Sequence, residues 1–201
     1  GVATATDNCD PAASLIIAQR DSIVAGSCAN AKLIYRIWTV TDSCMNMSRC
    51  VQLITTQDTT KPVIVCPADL TINCDADASS SATGFATATD NCDPAPVVTY
   101  SDATVAGGCP QEYTITRTWT ATDACGNGTN CTQVITVDDS TPPTITTCAA
   151  NITIECDEST DPSNTGLSSA TDNCDPAPVV TYSDATVGGQ CPQEYTITRT
   201  W

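Results

Sequence analysis

Threonine alternates with valine, isoleucine and aromatic residues in short runs such as VVTY, TITRTW, TQVITV and NITI, separated by clusters of Asp, Asn, Gly and Pro. Period-two alternation of β-branched residues is the pattern of strands with one face buried. No window carries helical spacing, so the chain is expected to be all-β. In the best-defined stretch the pattern places strands at 63–73, 85–89, 97–104, 113–122 and 132–137, the last lying beside the first. Along 113–122, Tyr113, Ile115, Arg117 and Trp119 share one face, and Thr114, Thr116 and Thr118 share the other. Trp119 reads as a core residue and the threonine face as solvated. Short strands at such intervals point to a sandwich of two sheets.

The order of runs then repeats. Residues 89–119 return at 171–201 with 29 of 31 positions unchanged, and a worn copy occupies 6–38. Cys9, Cys92 and Cys174 stand 83 and 82 residues apart, which marks a tandem array. The joins QDTTKP and VDDSTPP, acidic and proline-bearing, interrupt strand pairing. They divide the chain into 1–61, a partial unit without its first strand; 62–141, a complete unit; and 142–201, a partial unit without its last strands. Such short linkers hold neighbours semi-rigidly end to end. Gly1 falls mid-unit and Trp201 mid-strand, so the expectation is a window on a longer polymer.

Composition sharpens this picture. Units so small bury a marginal core, and with 4% aromatic residues that core is thin. Covalent or metal support is therefore expected. There are fourteen cysteines, six of them in the complete unit, with no CxxC pair and no histidine, which removes the usual zinc ligand sets. Disulfides are the remaining reading, and they place the chain outside a reducing cytosol. The net charge of −16, from 23 acidic and 7 basic residues, excludes nucleic acid and anionic membrane surfaces as partners. An acidic chain of this kind collects cations, and oxygen ligands favour Ca2+. No apolar run approaches membrane-spanning length. No redox or organic cofactor is implied.

The run TATDACGNGTNCTQVITVDDSTPPTITTCAANITIEC, with QDTTKPVIVCPADLTINC at the preceding join, resembles the hyalin-repeat class of immunoglobulin-like domains. A CP-type first strand, an ATDxxGNxxxC hairpin and a V-D-x-T-x-P linker occur in the order of that family, and the resemblance spans essentially the whole chain. It implies tandem immunoglobulin-like β-sandwich repeats, disulfide-stapled, of the kind found in secreted and surface proteins such as bacterial adhesins and gliding-associated proteins. The implied role is extracellular and adhesive or structural, not enzymatic. The first unit departs from the pattern: SCMNMSRC stands where the second has ACGNGTNC, without the glycine a tight turn favours.

Pairing each cysteine with the next along the chain would close all fourteen, but eight extended residues from Cys66 to Cys74 span about 26 Å. A disulfide tolerates about 7 Å between Cα atoms at most. In the expected strand order Cys66, Cys92, Cys125 and Cys131 gather at one end of the unit, and Cys74 and Cys109 at the other. That favours Cys66–Cys131, Cys92–Cys125 and Cys74–Cys109, the first being also what the resemblance implies. By equivalence Cys9 pairs with Cys44 and Cys156 with Cys191.

Each unit carries T-D-N-C-D, and the hairpins add Asp42 and Asp123. Brought to the end of a unit that receives the preceding linker, Asp58, Asp90, Asn91, Asp93 and Asp123 at one joint, and Asp138, Asp139, Asp172, Asn173 and Asp175 at the next, form a candidate Ca2+ cage. Asp and Asn in such sequences also make turns through their own backbone. Turn-making accounts for one acid per loop but not for several converging on one joint. No EF-hand loop is present. The acids Asp75 and Asp77, and Glu155, Asp157, Glu158 and Asp161, read as a solvated face. Paired carboxylates also serve glycoside hydrolysis, but acids that recur in every unit, without any histidine to activate a nucleophile, argue against an enzyme.

Asn127 and Asn151 lie in N-x-S/T sequons, and Ser22, Thr59 and Ser140 in D-S/T-x triplets, so these are the candidate glycan sites. Leu33, Tyr35 and Ile37 form an apolar row where the other units carry threonine, a candidate lateral contact between copies. The function expected is a structural segment of a long extracellular bacterial fibre or adhesin stalk, with neighbouring repeats as partners. A carbohydrate- or protein-binding adhesin module is the alternative.

Overall fold

The β-branched runs become strands in the computed structural model, which describes residues 1–109 and 111–201. Among the described residues they are β1 (Ile16–Ala25), β2 (Lys32–Thr41), β3 (Met47–Thr56), β4 (Val63–Val65), β5 (Leu70–Asn73), β6 (Thr87–Thr89) and β7 (Val97–Ala106). There follow β8 (Tyr113–Thr122), β9 (Gly128–Asp138), β10 (Thr144–Thr147), β11 (Ser169–Thr171), β12 (Ser183–Gly188) and β13 (Tyr195–Thr200). Among the described residues the chain is all-β apart from a 3-10 turn at Ala12–Ser14 and two single-turn helices, α1 (Ser80–Thr83) and α2 (Pro162–Thr165), all too short for a sequence period to reveal. Gly84 and Gly166 follow the two helices at φ 101° and 109°, a conformation in which any other residue would be strained.

Two units interleave along the sequence: residues 1–67, 84–101 and 117–133 form one, and 68–83, 102–116 and 134–201 form the other. The first holds the antiparallel sheet β1-β2-β3, in unbroken register from Ile16↔Thr41 to Ala25↔Lys32 and from Lys32↔Thr56 to Thr41↔Met47. It also holds the antiparallel pair β4–β6. The second holds the pairs β10–β11 and β12–β13. A further sheet has the order β5-β9-β8-β7, in which β5 runs parallel to β9. The single strand expected over 63–73 is thus two. The chain leaves β4 at Cys66 and Pro67, where proline has no N–H for a ladder, and re-forms at Leu70 on β9.

On β8 every second residue is buried, namely Ile115, Arg117, Trp119 and Ala121. In the first unit Trp119, 2% exposed, packs against Tyr100 at 4.9 Å and Phe85 at 6.2 Å between ring centroids. The Arg117 guanidinium lies 4.7 Å over the Tyr100 ring. In the second unit Ile115, Ile135 and Val137 form a core lined by Leu70, Ile72, Ala78 and Tyr113. Thr114, Thr116 and Thr118 are half-buried rather than open to solvent. β8 is a central strand, and side chains of β7 and β9 flank its outer face.

Among the described residues three disulfides are formed: Cys66–Cys131, Cys28–Cys125 and Cys74–Cys174, with Cα separations of 6.0, 4.9 and 5.8 Å. The expected pairs Cys92–Cys125 and Cys74–Cys109 are corrected, because Cys125 is taken by Cys28 and Cys74 by Cys174. The sequence argument matched cysteines within one repeat, whereas these bonds join positions 97 and 100 residues apart. The pairs Cys9–Cys44 and Cys156–Cys191 do not form either, and all four sulfurs are exposed thiols.

Candidate metal centre

The first aspartate of the T-D-N-C-D loop makes the same turn in all three copies. Asp7 Oδ1 accepts the N–H groups of Cys9 and Asp10, Asp90 Oδ1 those of Cys92 and Asp93, and Asp172 Oδ1 those of Cys174 and Asp175, all at 2.8–2.9 Å. Local turn-making therefore uses one oxygen of each aspartate. The other oxygen, Oδ2, of Asp90 and of Asp172 is buried without a hydrogen-bond partner.

The hairpin between β8 and β9 supplies a second acid. Asp123 Oδ1 accepts the N–H groups of Cys125 and Asn127 at 2.9 and 2.8 Å, and Asn127 Nδ2 donates to Asp123 Oδ2 at 2.7 Å. Asn127 Nδ2 also donates to the carbonyl of Asp58 at 3.2 Å, which ties the linker to the hairpin. Burial acts to raise the Asp123 carboxyl, but the amide of Asn127 and the N–H groups of Asn127, Cys125 and Gly126 outweigh it and hold it below the ordinary range. Asp58, Asp90 and Asp123 converge so that one oxygen of each lies within 4.8 Å of the others. Asp58 and Asp123 are 6% and 5% exposed. With every separation at or below 4.8 Å, some point lies within about 2.8 Å of all three oxygens, close to calcium–oxygen distances. Three carboxylates with one oxygen unpaired are a hard-oxygen donor set, which fits Ca2+ and not a soft metal. Beside them, burial and then the charges of Asp58, Asp90 and Asp123 push the Cys92 thiol upward.

In the second unit Asp139 and Asp172 come together with the sulfur of Cys174. That sulfur is bonded to Cys74, so only the two carboxylates remain as ligands. The N–H groups of Asp175 and Cys174 hold the Asp172 carboxyl low.

The remaining acids are otherwise engaged. Asp93 accepts Ala95 N–H and Ala124 N–H through its two oxygens, bracing the loop against the hairpin, as Asp10 does with Ser43. Asp175 accepts Ala177 N–H. Asp138 is exposed, and its carbonyl accepts Cys74 N–H. Asn91 Nδ2 donates to Cys92 Sγ and Asn173 Nδ2 to Cys74 Sγ. Sequence reasoning missed Asn127 as the residue that positions the site. The signal was its fixed spacing from Asp123, repeated by Asp42 and Asn46, where Asn46 Nδ2 likewise donates to the aspartate at 2.7 Å. Asn127, also a candidate glycan acceptor, is half-buried with its Nδ2 engaged in these bonds. Ser22, Thr59, Ser140 and Asn151 are exposed.

The β1-β2-β3 sheet sets Leu33 opposite Val24, Tyr35 opposite Leu53, and Ile37 opposite Val51. Val24, Tyr35, Leu53 and Val51 are all exposed, so the apolar row sits in a wider apolar face.

Residues 62–137, which contain the Cys66–Cys131 disulfide and two of the three clustered acids, match the family described as HYR-like domain with 4 cysteines. This segment is a HYR-like domain. It carries six cysteines rather than four. No curated protein matches the chain, and no solved structure matches it. HYR-like domains form a non-enzymatic repeat family, and with the disulfides this points to an extracellular repeat or adhesion-type module. No helix among the described residues is long and apolar enough to cross a membrane.

Proposed function

We propose that this chain is a structural segment of a long extracellular bacterial fibre or adhesin stalk. Its immunoglobulin-like sandwich units, bounded at 1–61, 62–141 and 142–201, are stiffened by Ca2+ at the joints. The observation that carries the reading is the convergence of Asp58, from the linker, on Asp90 and Asp123 of the unit that follows, with Asp90 Oδ2 buried and unpaired. A divalent cation offsets the mutual repulsion of these carboxylates and fixes the linker to the hairpin. Two sheets, β4–β6 and β5-β9-β8-β7, support the sandwich reading. The exposed face around Tyr35 and Leu53 supports lateral bundling with further copies. The same face favours the second reading, a module that binds a carbohydrate or a protein, and binding of a single complete unit to a glycan array would separate the two. Exposed Ser22, Thr59, Ser140 and Asn151 remain the proposed sugar attachment points, and intact mass would reveal added hexose.

Calcium is tested by melting the chain with excess Ca2+ and with EDTA. At a hundredfold excess over Kd the ion is expected to raise Tm by roughly 5–10 °C, and Asp90→Asn abolishes the shift. Equal melting temperatures in both buffers would refute the calcium reading.

A further inference from the structure

We infer that Cys28–Cys125 and Cys74–Cys174 are two instances of a single connectivity rule, by which each repeat is bonded covalently to the next at two places. The inference rests on the tandem-repeat reading and is independent of calcium.

Sequence equivalence defines six cysteine positions in a repeat. The first is that of Cys66 and Cys148, the second that of Cys74 and Cys156, and the third that of Cys9, Cys92 and Cys174. The fourth is that of Cys28, Cys109 and Cys191, the fifth that of Cys44 and Cys125, and the sixth that of Cys50 and Cys131. Residues 62–141 contain all six, so every pairing within a repeat was open to them. Only first with sixth closes there, as Cys66–Cys131. Cys125 bonds back to Cys28, and Cys74 bonds forward to Cys174, while Cys92 and Cys109 stay reduced. The fourth position of one repeat thus joins the fifth of the next, and the second of one joins the third of the next.

The reduced cysteines provide an independent check. Under this rule Cys9 and Cys92 require the second position of the repeat before theirs, and Cys44 requires the fourth of the repeat before its own. Cys109 and Cys191 require a fifth position in the following repeat, and Cys156 a third. Cys50 and Cys148 require the first and sixth positions of their own repeats. None of these eight partner positions falls within residues 1–201. The eight cysteines so identified are the eight free thiols of the structure, so one rule accounts for all fourteen sulfurs. The geometry agrees at the second joint, where Cys74–Cys174 closes beside Asp139 and Asp172.

Each bond forms when two thiols give up two protons and two electrons. A small-molecule disulfide such as oxidised glutathione accepts them and departs as two thiols. The reaction belongs to the oxidising exterior where such bonds persist.

The test is an extension of the whole chain. Appending a second copy of residues 120–141 after Trp201 supplies a fifth and a sixth position to the last repeat. After oxidation in a glutathione buffer and denaturation, thiol titration is expected to give eight for the original chain and six for the extended one. Peptide mapping should find the new fifth-position cysteine on Cys109 and the new sixth-position cysteine on Cys148. Cys109→Ser in the extended chain should leave the new fifth-position cysteine reduced without disturbing the bond to Cys148. If Cys148 closes but the new fifth-position cysteine pairs with Cys174 or stays reduced, the rule is overturned while the repeat reading stands. If both added cysteines stay reduced, both fall.

Discussion

In residues 89–119 the run VVTY opens β7 at Val97, and Trp119 ends up 2% exposed. In residues 171–201, identical at 29 of 31 positions, β12 begins only at Ser183 and Trp201 is half-buried. The local aromatic stack is nevertheless the same in both. Tyr100–Trp119 and Tyr182–Trp201 centroids are 4.9 and 5.3 Å apart, and Arg117 and Arg199 lie 4.7 and 4.5 Å over their tyrosines. What differs is the neighbour: β8 lies between β7 and β9, whereas β13 pairs with β12 alone. Sequence nearby builds the stack, and the buried copy has in addition an adjoining strand and the Phe85 ring against its tryptophan. The two copies therefore separate what a peptide does by itself from what tertiary context adds.

The largest effect that would sharpen this contrast is at the tryptophans. Trp119→Ala is expected to cost about 3–5 kcal/mol, and Trp201→Ala under about 1 kcal/mol, measured by urea unfolding. Equal losses would mean that burial is not what distinguishes the copies. The staple comes next. Replacing Cys66 and Cys131 together by serine opens a loop of 65 residues and should remove about 4 kcal/mol. Cys148→Ser, at the equivalent exposed thiol, should change stability by less than about 0.5 kcal/mol.

Acid should act in the second copy and just beyond the first, through different donors. Asp123 and Asp172 are held below their ordinary value of 3.8 in the folded chain. Carboxylates of this kind contribute stability that is present above the unfolded value and lost as pH falls through the lower folded one. Urea midpoints recorded downward from pH 5 should fall most steeply below 3.8, and Asp123→Asn should flatten that fall. An unchanged slope would show that the Asn127 amide and the turn N–H groups do not govern it. The smallest effect compares two hairpins. Met45 takes φ 70° where Gly126 takes 87°, so Met45→Gly should stabilise by about 1 kcal/mol or less, and Gly126→Met should destabilise by a similar amount.

Much of the strand pattern could be read from alternation alone, because Ile115, Trp119, Ile135 and Val137 each sit one residue from a threonine and face inward. The break at Pro67 was harder to see. VIVCPADLTIN reads as one strand if Pro67 is placed on an edge, and the two different partners of β4 and β5 divide it there. The carboxylate cluster was visible as composition, but its membership was not. Asp93 and Asp90 lie three residues apart in the same motif, and only backbone geometry directs one to Ala124 and leaves an oxygen of the other unpaired. The cysteine pairs were obscured for a related reason. A search for partners inside one unit cannot reveal a sulfur that bonds 97 or 100 residues away.

The spans of those two long bonds overlap. Cys28–Cys125 encloses residues 29–124, and Cys74–Cys174 encloses 75–173. A protease that severs any one peptide bond between residues 28 and 174 therefore leaves both pieces attached. Tension applied along the backbone across the QDTTKP or VDDSTPP join is carried by a sulfur bridge in parallel with the peptide, so the molecule survives nicking at the linkers, where residues 59–61 and 140–143 are exposed.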